Sequence, residues 1–141
     1  MKKITYFFFL LTIAYSFSFC KTQQYSPTDY QKGQIIFGSG GGITGSVMEY
    51  SLLENGQLFS KSGMGAEFVA LKKLKSNVVT QLFKNIEVLK LKEVQLNDPG
   101  NRYYFIQIKG ADTDHKITWG NNSAPKSVTS FYKILNHIIN N

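Results

Sequence analysis

Residues Gln34 to Leu53, QIIFGSGGGITGSVMEYSLL, decide how this chain folds. Ile35-Ile36-Phe37 is a β-branched and aromatic run that reads as a strand. It empties into Gly38-Ser39-Gly40-Gly41-Gly42-Ile43-Thr44-Gly45, and a second strand-like alternation follows from Ser46 to Leu53. Six of the twelve glycines lie between Gly33 and Gly45. Glycine loses more conformational entropy on folding than any other residue, so the cluster needs a cause. Either the backbone turns there through positive φ, or something packs closely against it. The structural reading is a wide turn or bulge between two strands. The functional reading makes Ser39, Gly40, Gly41, Gly42, Ile43, Thr44 and Gly45 a partner-contact loop.

Downstream, Asn55-Gly56 separates two strand-like runs, the strongest short hairpin signal. Gln57 to Lys61 is the returning strand, and Glu67 to Leu74 fits a strand or a short helical turn. Ser76 is a plausible N-cap for a helix whose apolar positions are Val79, Leu82, Phe83 and Ile86. Val88 to Leu96 is a linker or short strand, and Asp98-Pro99-Gly100-Asn101 is a turn. Arg102 to Lys109 reads as a strand, with His115 to Trp119 as its hairpin partner. Pro125 sits where a first helical turn tolerates it. Val128, Phe131, Leu135 and Ile138 then recur at helical spacing, flanked by Tyr132 and Ile139. The order is β-β-β-α-β-β-α. Hairpins imply a mainly antiparallel sheet, and two amphipathic helices need one apolar surface to cover. The expectation is an α+β two-layer sandwich of about five strands with both helices on one face.

Upstream, Met1-Lys2-Lys3 precedes a run from Ile4 to Phe19, 16 uncharged and mostly apolar residues. That is short for a membrane span of about 20 residues and suits a signal-peptide core. The sole cysteine, Cys20, follows directly. The placement resembles a bacterial lipoprotein signal, in which the cysteine carries the lipid and becomes the first mature residue. Phe19 stands where such signals place a small residue, Phe17 where Leu is usual, and Ser18 fits. The alternative is plain secretion after cleavage at Ser18. One cysteine makes no internal disulfide, which suits an anchor. The expected organisation is a signal peptide at 1–19, a polar lipid-anchored tether at 20–33 and a single domain at 34–141. The location expected is a cell-envelope membrane, on its periplasmic or surface face.

The chain carries +7 formal charge, or +5 once Lys2 and Lys3 are set aside with the leader. The densest basic cluster is Lys72, Lys73 and Lys75, a solvated face in the simplest reading. Export speaks against a nucleic-acid partner. Gly40-Gly41-Gly42-Ile43-Thr44-Gly45 satisfies G-x-G-x-x-G, but a dinucleotide fingerprint must open a helix, and a strand pattern follows here. No cofactor is expected. Asp112, Asp114 and His115 form an acid–histidine grouping in a commonplace polar turn. His137 falls on the closing helix. Trp119, Tyr103 and Tyr104 are either core or a carbohydrate platform. With Cys20 in the leader, no ligand spacing suits zinc. Catalytic, cofactor and metal residues are therefore expected to be none.

The Ser39-to-Gly45 turn after a strand, the helix near Val78 to Leu91, the Tyr-rich hairpin of Tyr103 to Trp119 and the final helix of Pro125 to Ile139 share an order with a known family. That order resembles the small emfourin-like inhibitors of thermolysin-type metalloproteases, with one extra glycine and an added hairpin at Asn55-Gly56. The start at Cys20 is also similar to small lipoproteins of the Bacteroidetes. The resemblance implies a non-enzymatic binding module whose partner is a protein, a protease in one reading. The alternatives are a structural or assembly lipoprotein binding an envelope protein or glycan, and an enzyme.

Overall fold

The computed structural model describes residues 25–120 and 124–140. Cys20, the leader and the first tether residues lie outside them. Among these residues, seven strands and two helices follow in order: β1 (Gln34–Gly41), β2 (Val47–Leu53), β3 (Gln57–Ser62), β4 (Val69–Lys73), α1 (Ser76–Val88), β5 (Asn97–Asp98), β6 (Arg102–Lys109), β7 (Asp114–Trp119) and α2 (Lys126–Asn140). They form one sheet in the order β4-β3-β2-β1-β6-β7-β5. All pairs are antiparallel except β5 with β7. The α+β class holds, and the sheet is larger than the five strands expected. The additions are β4, from the ambiguous Glu67–Leu74 stretch, and the two-residue β5, just past the segment read as linker.

Alternation sorts the sheet into two faces. Ile35 and Phe37 of β1, Leu52 of β2, Leu58 of β3, Ile106 and Ile108 of β6, and Ile117 and Trp119 of β7 point to the helices. There they meet Leu82 and Ile86 of α1 and Val128, Phe131 and Leu135 of α2 in one core. Burying each such side chain contributes about 1.5–3 kcal/mol. Tyr132 ties helix to sheet, donating its hydroxyl to the Gly38 carbonyl at 3.0 Å. Desolvation holds that hydroxyl's pKa above its ordinary value.

The helix expectations hold with one shift of boundary. Ser76 is the first helical residue, and Lys75 occupies the cap position with no side-chain bond to the helix. The Leu74 amide donates to the Gly56 carbonyl at 2.9 Å, which keeps the chain extended up to that point. A short 3-10 turn, Leu91–Glu93, follows α1 through Lys90, which takes a left-handed φ of 52°.

Among the described residues, no helix lies over the opposite face of the sheet. Gln34, Ile36, Ser51, Phe59, Phe105 and Gln107 lie there. The polar segment expected as part of a tether crosses this face from residue 25 to 33. Pro27 within it is buried, the Tyr25 amide donates to Gln57 Oε1 at 3.2 Å, and Gly33 exchanges hydrogen bonds with Glu54. The chain thus packs against the domain before the expected boundary at Gln34.

Candidate functional site

The strands run so that the β1–β2 loop, the β3–β4 loop and the turn before β6 emerge at one end of the sheet. The glycine cluster builds this end, and both causes inferred for it operate. β1 continues through Gly38, Ser39 and Gly40 to Gly41 rather than ending at Phe37. A β-carbon on Gly38 would stand 2.0 Å from the Met48 carbonyl oxygen, and one on Gly41 would stand 2.2 Å from that of Asn101. One on Gly40 would meet the Tyr103 ring, whose side chain lies across that glycine. Strand glycines are commonly covered in this way by a cross-strand aromatic. The turn itself uses positive φ at Gly41, Gly42 and Gly45.

The turn is pinned at its base. The Gly42 amide donates to the Asn101 carbonyl at 2.7 Å, and the Gly45 amide donates to the Gly42 carbonyl at 3.1 Å. Ile43 at its tip is fully exposed, at 106% of the reference accessibility. A second exposed apolar side chain, Met64 at 95%, stands on the β3–β4 loop between Gly63 and Gly65, both at positive φ. The Gly63 amide donates to the Val47 carbonyl at 2.8 Å, fastening this loop to the start of β2. Beside them a shallow cleft of about 280 Å³ is lined by Ser39, Gly40 and Gly41 with Met48, Arg102 and Tyr103. The expected site residues therefore divide. Ser39, Gly40 and Gly41 line the cleft, while Gly42, Ile43, Thr44 and Gly45 form the projecting turn. Met64 escaped the sequence reading; the signal was its place between two glycines in Ser62-Gly63-Met64-Gly65.

The remaining expectations resolve by register. β2 follows the glycines, so the G-x-G-x-x-G spacing opens no helix. Asp114 and His115 occupy adjacent strand positions and point to opposite faces. Asp114 accepts from the Gln107 side chain, whereas His115 Nε2 lies 3.0 Å from the Val94 carbonyl on the helix side. Asp112 is exposed in the turn, so the grouping does not converge. His137 is exposed on α2. Trp119 and Tyr104 pack with tilted rings beside Tyr132 at the helix-side core, while Tyr103 faces the other way, so the three make no shared platform. Among the described residues, no three histidines, cysteines or acids gather as a metal site.

A second, larger cleft lies on the helix-free face, near the other end of the sheet. It holds about 450 Å³ between segment 25–33 and the β6–β7 turn. No protein-family model matches the chain, and no curated protein matches it.

Proposed function

We propose that the chain is an exported, lipid-anchored binding module of a bacterial envelope, without catalytic activity of its own. Cys20 carries the anchor, and the glycine-built end of the sheet contacts a partner protein. The observation that carries this reading is Ile43, held in solvent on a turn whose base is pinned by the Gly42–Asn101 hydrogen bond, with Met64 on the neighbouring loop. Exposed apolar residues at the tip of a rigid turn suit insertion into a partner's pocket, because little conformational freedom remains to be lost on binding. A metalloprotease cleft is the partner that the family resemblance favours.

The test has two parts. Cys20→Ser is expected to move the protein from the membrane fraction to the soluble one; retention in the membrane would remove the anchor. The purified chain is then assayed against metalloproteases of its source organism and crosslinked in envelope preparations. Inhibition or a specific crosslink that Ile43→Asp weakens at least about tenfold, roughly 1.4 kcal/mol, supports the reading. Neither inhibition nor a crosslink at micromolar excess would defeat it.

A further inference from the structure

The cleft on the helix-free face is separate from the loop end and is built differently. Its floor comes from three adjacent strands: Gln34 and Ile36 of β1, Ser51 of β2 and Gln107 of β6. Segment 25–33 forms one wall and the Gly110–Asp114 turn the other. A volume of about 450 Å³ falls within the usual size of small-molecule sites, about 300–1,000 Å³.

Two of the floor's oxygens have no hydrogen-bond partner. Ser51 Oγ and Gln34 Oε1 are both unpaired, in residues that are 0% and 4% exposed. Buried polar groups are nearly always paired, so each such atom calls for an explanation. The Gln34 amide is not loose: its Nε2 donates to the Tyr30 carbonyl at 2.8 Å, which fixes the carboxamide with Oε1 as a free acceptor. Valine or isoleucine would suit both strand positions better on packing grounds alone.

The charge around the cleft indicates what it would take. Two cations, Lys32 and Lys109, face two carboxylates, Glu49 and Asp114, so the lining has no net charge. The other polar groups are hydroxyls and amides, from Thr28, Gln31 and Thr113 besides the floor. Two aromatic residues, Tyr30 and Phe68, also line it. An anion would meet both carboxylates, a cation both lysines, and an apolar molecule would leave both oxygens unpaired. A neutral, hydroxyl-rich molecule satisfies every group. Its O–H groups donate to Gln34 Oε1 and the carboxylates, Ser51 Oγ donates or accepts, and its C–H faces cover Ile36 and the aromatics.

We propose that this cleft binds a short neutral saccharide, with Gln34 and Ser51 reading its hydroxyls. Both oxygens are closed to solvent and segment 25–33 forms the adjoining wall, so we take entry to require that wall to shift outward. Gln34 is placed to couple the two events, since the same carboxamide holds Tyr30 and offers its oxygen to the ligand.

The experiment is a two-dimensional amide NMR titration of the purified full-length chain with maltose and with N,N′-diacetylchitobiose. Each is taken to about 20 mM, enough to detect a millimolar Kd. The expected result is that one of them shifts the amides of Gln34, Ile36, Ser51 and Gln107. Ser51→Ala should weaken that binding about tenfold while leaving Tm unchanged or higher, because it removes an unpaired buried hydroxyl. Gln34→Met, similar in shape, should weaken it likewise. The proposal is overturned if neither sugar moves these amides, if the shifts gather at Ile43 and Met64 instead, or if Ser51→Ala lowers Tm by several degrees. Shifts at Ile43 and Met64 would move sugar binding to the loop end; the other outcomes leave the partner contact proposed there to its own test through Ile43.

Discussion

At the scale of single residues, the glycines of β1 and its turn do two different jobs, and substitution separates them. Gly38 sits mid-strand in the middle of the sheet, and an added methyl group would meet the Met48 backbone, which cannot rotate away. Gly38→Ala is therefore expected to destabilise the domain by about 3 kcal/mol, the upper part of the range for overpacking. Gly45 has open space around its β-carbon but a φ of +59°. Gly45→Ala meets only the left-handed backbone penalty, about 1–2 kcal/mol. Urea unfolding of both variants checks the ranking. Equal losses would mean that close approach to Met48 does not govern Gly38. The Gly38 carbonyl also receives the Tyr132 hydroxyl, so this glycine stands where the sheet is fastened to its helix layer. Spacing alone located the cluster but could not tell its members apart, because that distinction depends on which neighbouring strand crosses each glycine.

At the scale of elements, local pattern was enough wherever it matched burial. The α1 residues Val79, Leu82 and Ile86 and the α2 residues Val128, Phe131 and Leu135 are buried at the spacing their sequence announces. β6 and β7 are equally plain. The pattern failed at the sheet's edges, where few contacts constrain side-chain type. Val69 and Leu71 of β4 are exposed, and β5 is two residues long, so neither carries a periodic signature. The basic cluster gains a structural place here: Lys72 and Lys73 lie on the β4 edge, where charge discourages pairing with another chain. The cap of α1 was misplaced by one residue for a tertiary reason, the Leu74–Gly56 bond from outside the helix. Lys75 consequently sits at a helix N-terminus with no capping bond and an unfavourable charge, and the first turn holds no acid. Lys75→Asp corrects both faults on an exposed residue. It is expected to raise stability by about 1 kcal/mol, read as a higher urea midpoint at unchanged m-value. A neutral or negative effect would show that the lysine has a stabilising contact elsewhere.

At the scale of the whole molecule, the decisive feature is that, among the described residues, one face of the sheet has helices and the other has the segment before β1. A sheet covered on one side by α1 and α2 leaves Ile36, Phe59 and Phe105 on its far side, and these are nonetheless buried. Segment 25–33 helps to close that face at the hairpin end. No residue pattern announces this, since the segment is polar and aperiodic and two of its attachments are long-range, Tyr25 to Gln57 and Gly33 to Glu54, beside the local one from Gln34 to Tyr30. A chain emerging from a lipidated Cys20 would thus have only a few residues of reach before meeting its own domain, which would hold the domain close to the membrane. Two truncations decide whether the attachment matters. A chain starting at Tyr25 keeps these bonds and the buried Pro27, whereas one starting at Gln34 loses them. At about 0.5–1.5 kcal/mol net per hydrogen bond, the shorter chain should be less stable by about 3 kcal/mol and cleaved faster by a non-specific protease. Equal urea midpoints for the two would make residues 25–33 a simple tether, and the helix-free cleft would then lose one of its walls as a structural element.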